Sequence, residues 1–514
     1  MTSSRPRLRV ALLCLLAAFV SVHPARAQAP GDEAATAHRF QRLRHDPPAL
    51  RLFLRAFPKG ADLHNHLAGA VYAESMLRWA VADDLCIERT TLILLAAGCA
   101  GRTDEERAAS FEGRPGDWDA AVDAFSMRDF VPTATDRSGH DHFFNSFGRF
   151  ILAQRRHEAD ALAEAATRAA EDGVVYLELM ISPQLAAAAK AGLAHPVAGK
   201  AFAAADTALA PSLAPLVAAA RGETDAMEAG MRERLHCATK AARPGCSVTI
   251  RYLYAVLRTL PPDAVFGQLA MGYAMAGADP RFVGVNIVAP EDNPVALRDY
   301  DLHMRMFRAL SHRHPGVHLA LHAGELTEGL VPPEDLRRHI RDAVEIAGAE
   351  RIGHGVDITY EDDAAGLMGE MARRGVMVEI NLTSNDEILG VRGAQHPLMT
   401  YRAAGVPTAL STDDEGVSRI DLTHEYERAV ADYPLTYADL KDLSRTGLEH
   451  GFLPGRSLWA SVHPWRMVAA CAPGGGARSK PCADLLAASD KARLQWTLEQ
   501  RFAVFEHEQA ALAR

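Results

Sequence analysis

No Cys-x-x-Cys pair occurs anywhere in these 514 residues, which argues against a zinc knuckle or a thioredoxin-like redox motif. No Gly-x-Gly-x-x-Gly follows the first predicted strand, which weakens a doubly wound dinucleotide-binding sheet. Beyond the N-terminus no apolar stretch stands out at the ~20 residues that cross a bilayer. Collagen-like and prion-like biases are absent, and no internal repeat is visible beyond an alternation of strands and helices. Positive charge is short as well: 55 Lys and Arg stand against 65 Asp and Glu, a net charge of −10. An acidic chain disfavours a polyanionic partner such as DNA, a local basic patch aside.

Residues 1–27 read as a secretory signal peptide. Arg5, Arg7 and Arg9 precede the 13-residue apolar run VALLCLLAAFVSV, and Ala25-Arg26-Ala27 supplies a small-x-small cleavage site. A retained membrane anchor is the alternative, disfavoured by the shortness of the run. Export to a periplasm or to the outside follows, with no membrane contact after cleavage. The remaining residues, 28–514, are expected to form one domain with insertions at about 80–150 and 186–245. Six cysteines survive cleavage in three neighbouring couples, and an even count in an exported chain favours disulfides. The expected pairing is local: Cys86–Cys99, Cys237–Cys246 and Cys471–Cys482. Nothing in the sequence sets the oligomeric state.

Eight compact apolar segments recur: 60–69, 173–182, 247–256, 282–290, 317–325, 350–357, 376–384 and 406–414. Each suits a buried parallel strand. Between them lie stretches with apolar residues at helical spacing and acidic or proline starts. Eight strand-helix units predict a (β/α)₈ barrel with helical insertions after strands one and two. The aromatic segment HDHFFNSFGRF, with Phe143, Phe144, Phe147 and Phe150, reads either as a lid over a pocket or as a helix packing on the barrel.

In such a barrel the chemistry gathers at the C-terminal ends of the strands. Strand one ends in His64-Asn65-His66, and alternation puts both imidazoles on one face. Strand five ends in His322, strand six in His354, strand eight in Asp413-Asp414. A His-x-His pair alone is more often structural, and a double aspartate alone more often caps a helix. Their recurrence at one end of the barrel makes His64, His66, His322 and Asp413 a ligand set for one Zn²⁺, an ion that takes nitrogen and oxygen donors and keeps a place for water. Glu325 has a bland alternative too, as the cap of a helix starting at Leu326.

HNH at 64–66, HAGE at 322–325, RIGHG at 351–355 and STDD at 411–414 resemble the adenosine deaminase family of the metal-dependent amidohydrolase superfamily. The likeness runs from about Pro58 to about Phe452. EINLTSNDEILGV and HPLMTYRAAGVPTALSTDD look like the secreted, growth-factor-related branch and its bacterial relatives. The resemblance implies zinc-dependent hydrolytic deamination of a 6-aminopurine nucleoside, adenosine or 2′-deoxyadenosine. Glu325 would protonate ring N1, and Asp413 would ligate the metal and orient the hydroxide. Asp414 would bind purine N7. His354 would act as base or as electrostatic stabiliser, a choice the resemblance leaves open. The Pro-Cys-x-x-Cys signature of base deaminases acting on nucleic acids is absent. VGVNIVAP carries no lysine that could bridge two metals, which favours one ion. Two positions depart from the family: Ala68 stands where an aspartate contacts ribose, and Ala289 where a glycine approaches the purine. Another aminopurine therefore remains an alternative substrate, as does a metal-bearing binding or signalling protein of the same fold.

Overall fold

The computed structural model describes residues 31–99, 103–197, 201–472 and 479–513. The signal-peptide segment lies outside the described residues. The eight expected strands all form: β1 Gly60–His66, β2 Val174–Ile181, β3 Thr249–Leu257, β4 Phe282–Val288, β5 His318–Ala323, β6 Arg351–His354, β7 Met377–Ile380 and β8 Thr408–Leu410. They pair in parallel in chain order. The sheet closes where Asn65 bridges Asp413: Asp413 N–H donates to His64 O (2.8 Å) and His66 N–H to Asp413 O (3.2 Å). The two ends of the sheet thus meet at candidate site residues, in a (β/α)₈ barrel.

A charged layer crosses the barrel interior. Arg351 of β6 donates to Glu379 of β7 (2.6 Å) and to Glu178 of β2 (2.6 Å), all three fully buried. Such a triad is tolerable only because every charge has a partner; removing one member leaves the others unpaired.

Strand eight ends at Leu410, before Asp413-Asp414, and one further strand gives way to a helix that its apolar pattern does not predict. The segment 376–384 stays extended only to Ile380, and Leu382–Leu389 is helical. The cause is distant in sequence: the Glu425 carboxylate accepts from Leu382 N–H (2.7 Å) and Thr383 N–H (3.2 Å), satisfying donors that a helix start leaves free. Within this helix burial pushes the Glu387 carboxyl up to about 8, against the Ser418 hydroxyl that donates to it at 2.6 Å, with Glu425 adding repulsion. Its folded pKa lies above the ordinary ~4.3, so the folded chain keeps a proton that the unfolded chain releases. Stability from this group is present below about pH 4 and is lost as pH rises towards 8, on the order of 1.4 kcal/mol per unit. Glu387→Gln is therefore expected to flatten the fall of melting temperature between pH 5 and 8. Parallel curves for the two proteins would mean that Glu387 is already ionised when folded.

Between β1 and β2 the chain builds a small antiparallel sheet in the order Leu94–Leu95, Cys86–Glu88, Glu105–Arg107, followed by the helices Pro115–Ala124 and Gly139–Arg156. Between β2 and β3 it builds the helix Phe202–Arg234. This helix is long and apolar enough, by length and composition, to cross a membrane, so the expectation of no further stretch of that kind does not hold; its alanines supply the hydropathy. Its buried residues Phe202, Leu209, Leu213, Met227 and Met231 join the hydrophobic core shared with the barrel. Asp206 accepts from Arg313 at 2.6 Å. The disulfides are the local ones: Cys86–Cys99, Cys237–Cys246 and Cys471–Cys482, with Cα–Cα separations of 5.5, 5.4 and 4.9 Å. Each closes a short excursion from the barrel.

Candidate metal centre and reaction pocket

Four donor residues from three strand ends converge on one point. His66 Nε2 lies 3.2 Å from His322 Nε2 and 3.3 Å from Asp413 Oδ1, and His64 Nε2 lies 3.4 Å from the same oxygen. One donor atom from each of the four residues falls within 4.8 Å of every other. Donors bound tetrahedrally at ~2.1 Å from zinc sit roughly 3.4 Å apart, so the spacing fits.

The imidazoles are aimed by what lies behind them. His64 Nδ1–H donates to Glu379 Oε2 (2.7 Å) and His322 Nδ1–H to Asn286 Oδ1 (2.9 Å). Each Nε2 lone pair is thereby turned to the centre, and His64 Nε2 is buried without a hydrogen bond. An orphaned buried nitrogen among three more donors is what a cation site looks like from the protein side. Glu379→Gln is expected to weaken zinc binding about 10–100-fold, read by competition with a chelating dye. Unchanged affinity would remove Glu379 from this role.

The backbone pays for the convergence in strain. Ala289, His354 and Asp413 have φ of 81°, 70° and 59°, left-handed values that non-glycine residues seldom adopt. Ala289 thus holds a conformation that glycine would adopt freely. Gly353 is required for a different reason: a Cβ there would lie 2.6 Å from His64 Cε1.

Around the donors stand the three remaining residues singled out by the sequence. His354 Nε2 is 3.8 Å from Asp413 Oδ2, and its Nδ1 is 3.6 Å from Glu325 Oε1. Burial lowers the His354 pKa to about 3, so the ring is neutral. The Glu325 carboxyl is pushed well above the ordinary range by burial, and further by Asp413 and Glu291. Asp414 is raised in the same way, by burial and then by Asp413, and its Oδ1 has no hydrogen bond. Asp413 itself is held well below the carboxylate range: burial opposes this, and the His64 and His66 rings beside it outweigh the burial. Glu325 caps no helix, since the residues after it are irregular as far as the short turn Pro333–Leu336. Its backbone N–H donates to Glu291 Oε2 (2.9 Å), and Glu291 is anchored by His339 at 2.7 Å.

A cavity of about 1010 Å³ opens over this cluster, at the upper end of what holds a drug-sized ligand. His322, Glu325, His354, Asp413 and Asp414 line it together with Ala68, Ala289, Phe143, Phe144 and Phe147. The aromatic segment is a helix, Gly139–Arg156, that buries Phe143 and Phe150; Phe143, Phe144 and Phe147 line the cavity. Glu379, Asn286 and Glu291 escape a motif search. Glu379 left a trace, as a charge between Val378 and Ile380 in an otherwise apolar strand.

The fold and the donor set define a barrel with a single-metal site at its C-terminal end. The family profile for adenosine deaminase matches residues 123–458, more than half of the chain, and the protein belongs to the adenosine deaminase family. Adenosine deaminases of Serratia proteamaculans and Clostridium perfringens are 39% and 34% identical to it over 142 and 141 residues. Those stretches are 27% of this chain and only 40% and 39% of the relatives' lengths. An amidohydrolase of Burkholderia ambifaria, solved with bound Zn, shares the fold: TM-score 0.53 at 18% identity, covering 90% of this chain and 94% of that one. The profile begins after β1, so His64 and His66 rest on the HNH motif and on the geometry of the site.

Proposed function

We propose that the protein deaminates a 6-aminopurine nucleoside, adenosine or 2′-deoxyadenosine, to the 6-oxopurine nucleoside and ammonia. His64, His66, His322 and Asp413 would hold one zinc ion, which when bound would supply the Lewis acidity that ionises water near neutral pH. The observation that carries the reading is the placement of Glu325, which lines one cavity with that donor cluster, 3.6 Å from His354 Nδ1, where burial pushes its carboxyl up. An acid so placed gives its proton to purine N1, which makes C6 electrophilic. Asp414, raised by burial and without a bond at Oδ1, receives N7 through a shared proton. Asp413 and His354 face the attacking oxygen, and the Phe143, Phe144 and Phe147 wall stacks on the base and limits water.

The nucleoside is the finer part of the proposal. Ala68 puts a methyl group, not a carboxylate, at the cavity wall, so ribose recognition falls to other groups. Glu158 and Glu223 line the cavity with a single cation, Arg155, beside them; Glu158 is raised by burial and by Glu223. That net negative surface disfavours a 5′-phosphate. Ultraviolet conversion of adenosine to inosine tests the reaction, and ammonia release from adenine, adenosine, 2′-deoxyadenosine and AMP tests the range. AMP is expected to fall at least ~10-fold below adenosine in kcat/KM, an energy of ~1.4 kcal/mol. Zinc-loaded protein inert to the whole panel would leave a binding or signalling protein instead. Export is part of the same proposal, supported by three disulfides, which persist in oxidising compartments.

A further inference from the structure

His354 faces the donor cluster with one nitrogen and the protein with the other, and the protein side is wired to a fixed backbone donor. Leu398 N–H donates to His396 Nδ1 at 3.2 Å. With that nitrogen accepting, neutral His396 carries its proton on Nε2, and it gives it to Asn385 Oδ1 at 3.0 Å. The Asn385 amide can then turn only one way: a flipped amide would set its NH₂ against the His396 N–H. Asn385 Nδ2 therefore donates to His354 Nδ1 at 2.8 Å, with Asn381 Nδ2 3.4 Å from the same nitrogen. Asn385, His396 and His354 are 0%, 4% and 1% exposed, so no solvent offers a competing arrangement.

We infer that Asn385, itself set by His396, is a positioning residue that holds His354 as the Nε2–H tautomer, so that His354 presents a hydrogen-bond donor to the reacting oxygen and not a lone pair. This rests on the deaminase reading and settles the role left open there: His354 stabilises negative charge on the attacking oxygen and does not begin as the base. The same bond excludes an imidazolium, whose Nδ1–H would meet the amide N–H head-on. Asn385 lies on the helix Leu382–Leu389, and its side-chain hydrogen bonds go to His354 and His396.

The test reads the tautomer directly. In full-length, zinc-loaded protein labelled with ¹⁵N-histidine, the His354 signals, assigned by their loss in His354→Asn, are expected to be pyridine-type at Nδ1 and pyrrole-type at Nε2. Asn385→Asp replaces the donor by an acceptor and is expected to move the proton to Nδ1. Imposing the wrong tautomer on an active-site histidine costs up to about 10⁴ in kcat. For Asn385→Asp a loss of at least ~100-fold is expected, with KM within about threefold; Asn385→Ala should fall between it and the wild type. A pyrrole-type Nδ1 in the wild type overturns the inference, as does Asn385→Asp with wild-type kcat and spectrum. If Asn385→Asp does not fold, the wild-type spectrum decides alone. Wild-type protein inert towards every aminopurine sinks the deaminase reading but leaves the tautomer readable.

Discussion

Glu325→Gln is expected to lower kcat on adenosine by about 10²–10⁴-fold while the protein keeps its zinc and its melting temperature. The amide has the size of the carboxyl and can still offer an N–H to purine N1, so binding is spared. It cannot release a proton, so the ring is never made electrophilic at C6. The structure places this acid by its main chain, not by a helix. The N–H groups of Gly324 and Glu325 both donate to the Glu291 carboxylate, at 3.2 and 2.9 Å. Glu291 in turn is kept ionised, down to about 2, because Arg258 and His339 outweigh its burial. One carboxylate is thus held charged so that its neighbour, one loop away, can stay protonated. Environments that push two acids apart are how a site assigns their roles. The sign of the pH dependence follows from the proposed role: an acid that works protonated predicts that kcat falls as pH rises through the raised pKa of Glu325. A variant within about tenfold of wild type, with zinc bound, would move the proton source elsewhere, and Asp414→Asn would be the next measurement.

The barrel was legible in the sequence because each of its strands is a compact apolar run, and because His64, His66, His322, His354 and Asp413 all fall at the ends of such runs. What stayed hidden depends on contacts between distant segments. The turn from strand to helix at Leu382 is set by Glu425, 43 residues on, and local periodicity carries no sign of it. The partners behind the donors were equally hidden. Asn286 sits in a strand whose apolar pattern explains itself without it, and Glu379 stands out only as a charge in β7; the partners of both appear only when His322 and His64 are seen to face them. The long alanine-rich helix misled in the opposite direction. Alanine raises its hydropathy without any large side chain to signal a span, and its buried stripe is spaced for packing on neighbouring helices.

Stripping the metal with a chelator is expected to abolish turnover, and one equivalent of zinc to restore it. Lewis-acid assistance is worth several kcal/mol, so the loss should reach at least ~10³-fold. A second reading must move with the first if the ion is held as proposed. A site built from three distant strand ends forms only on folding, so zinc removal should lower the melting temperature, with up to ~4 kcal/mol at stake when zinc stands at a thousand times its Kd. The two effects separate in Asp413→Asn. That variant keeps the backbone closure at Asn65, which uses main-chain atoms, yet loses the one charged donor beside His64 and His66. It is expected to fold, to bind zinc weakly, and to respond little to the chelator in either activity or stability. Full activity in chelated wild-type protein, verified metal-free by elemental analysis, would mean that three imidazoles and a carboxylate meet at the barrel mouth for some reason other than a cation, and the deaminase proposal would go with it.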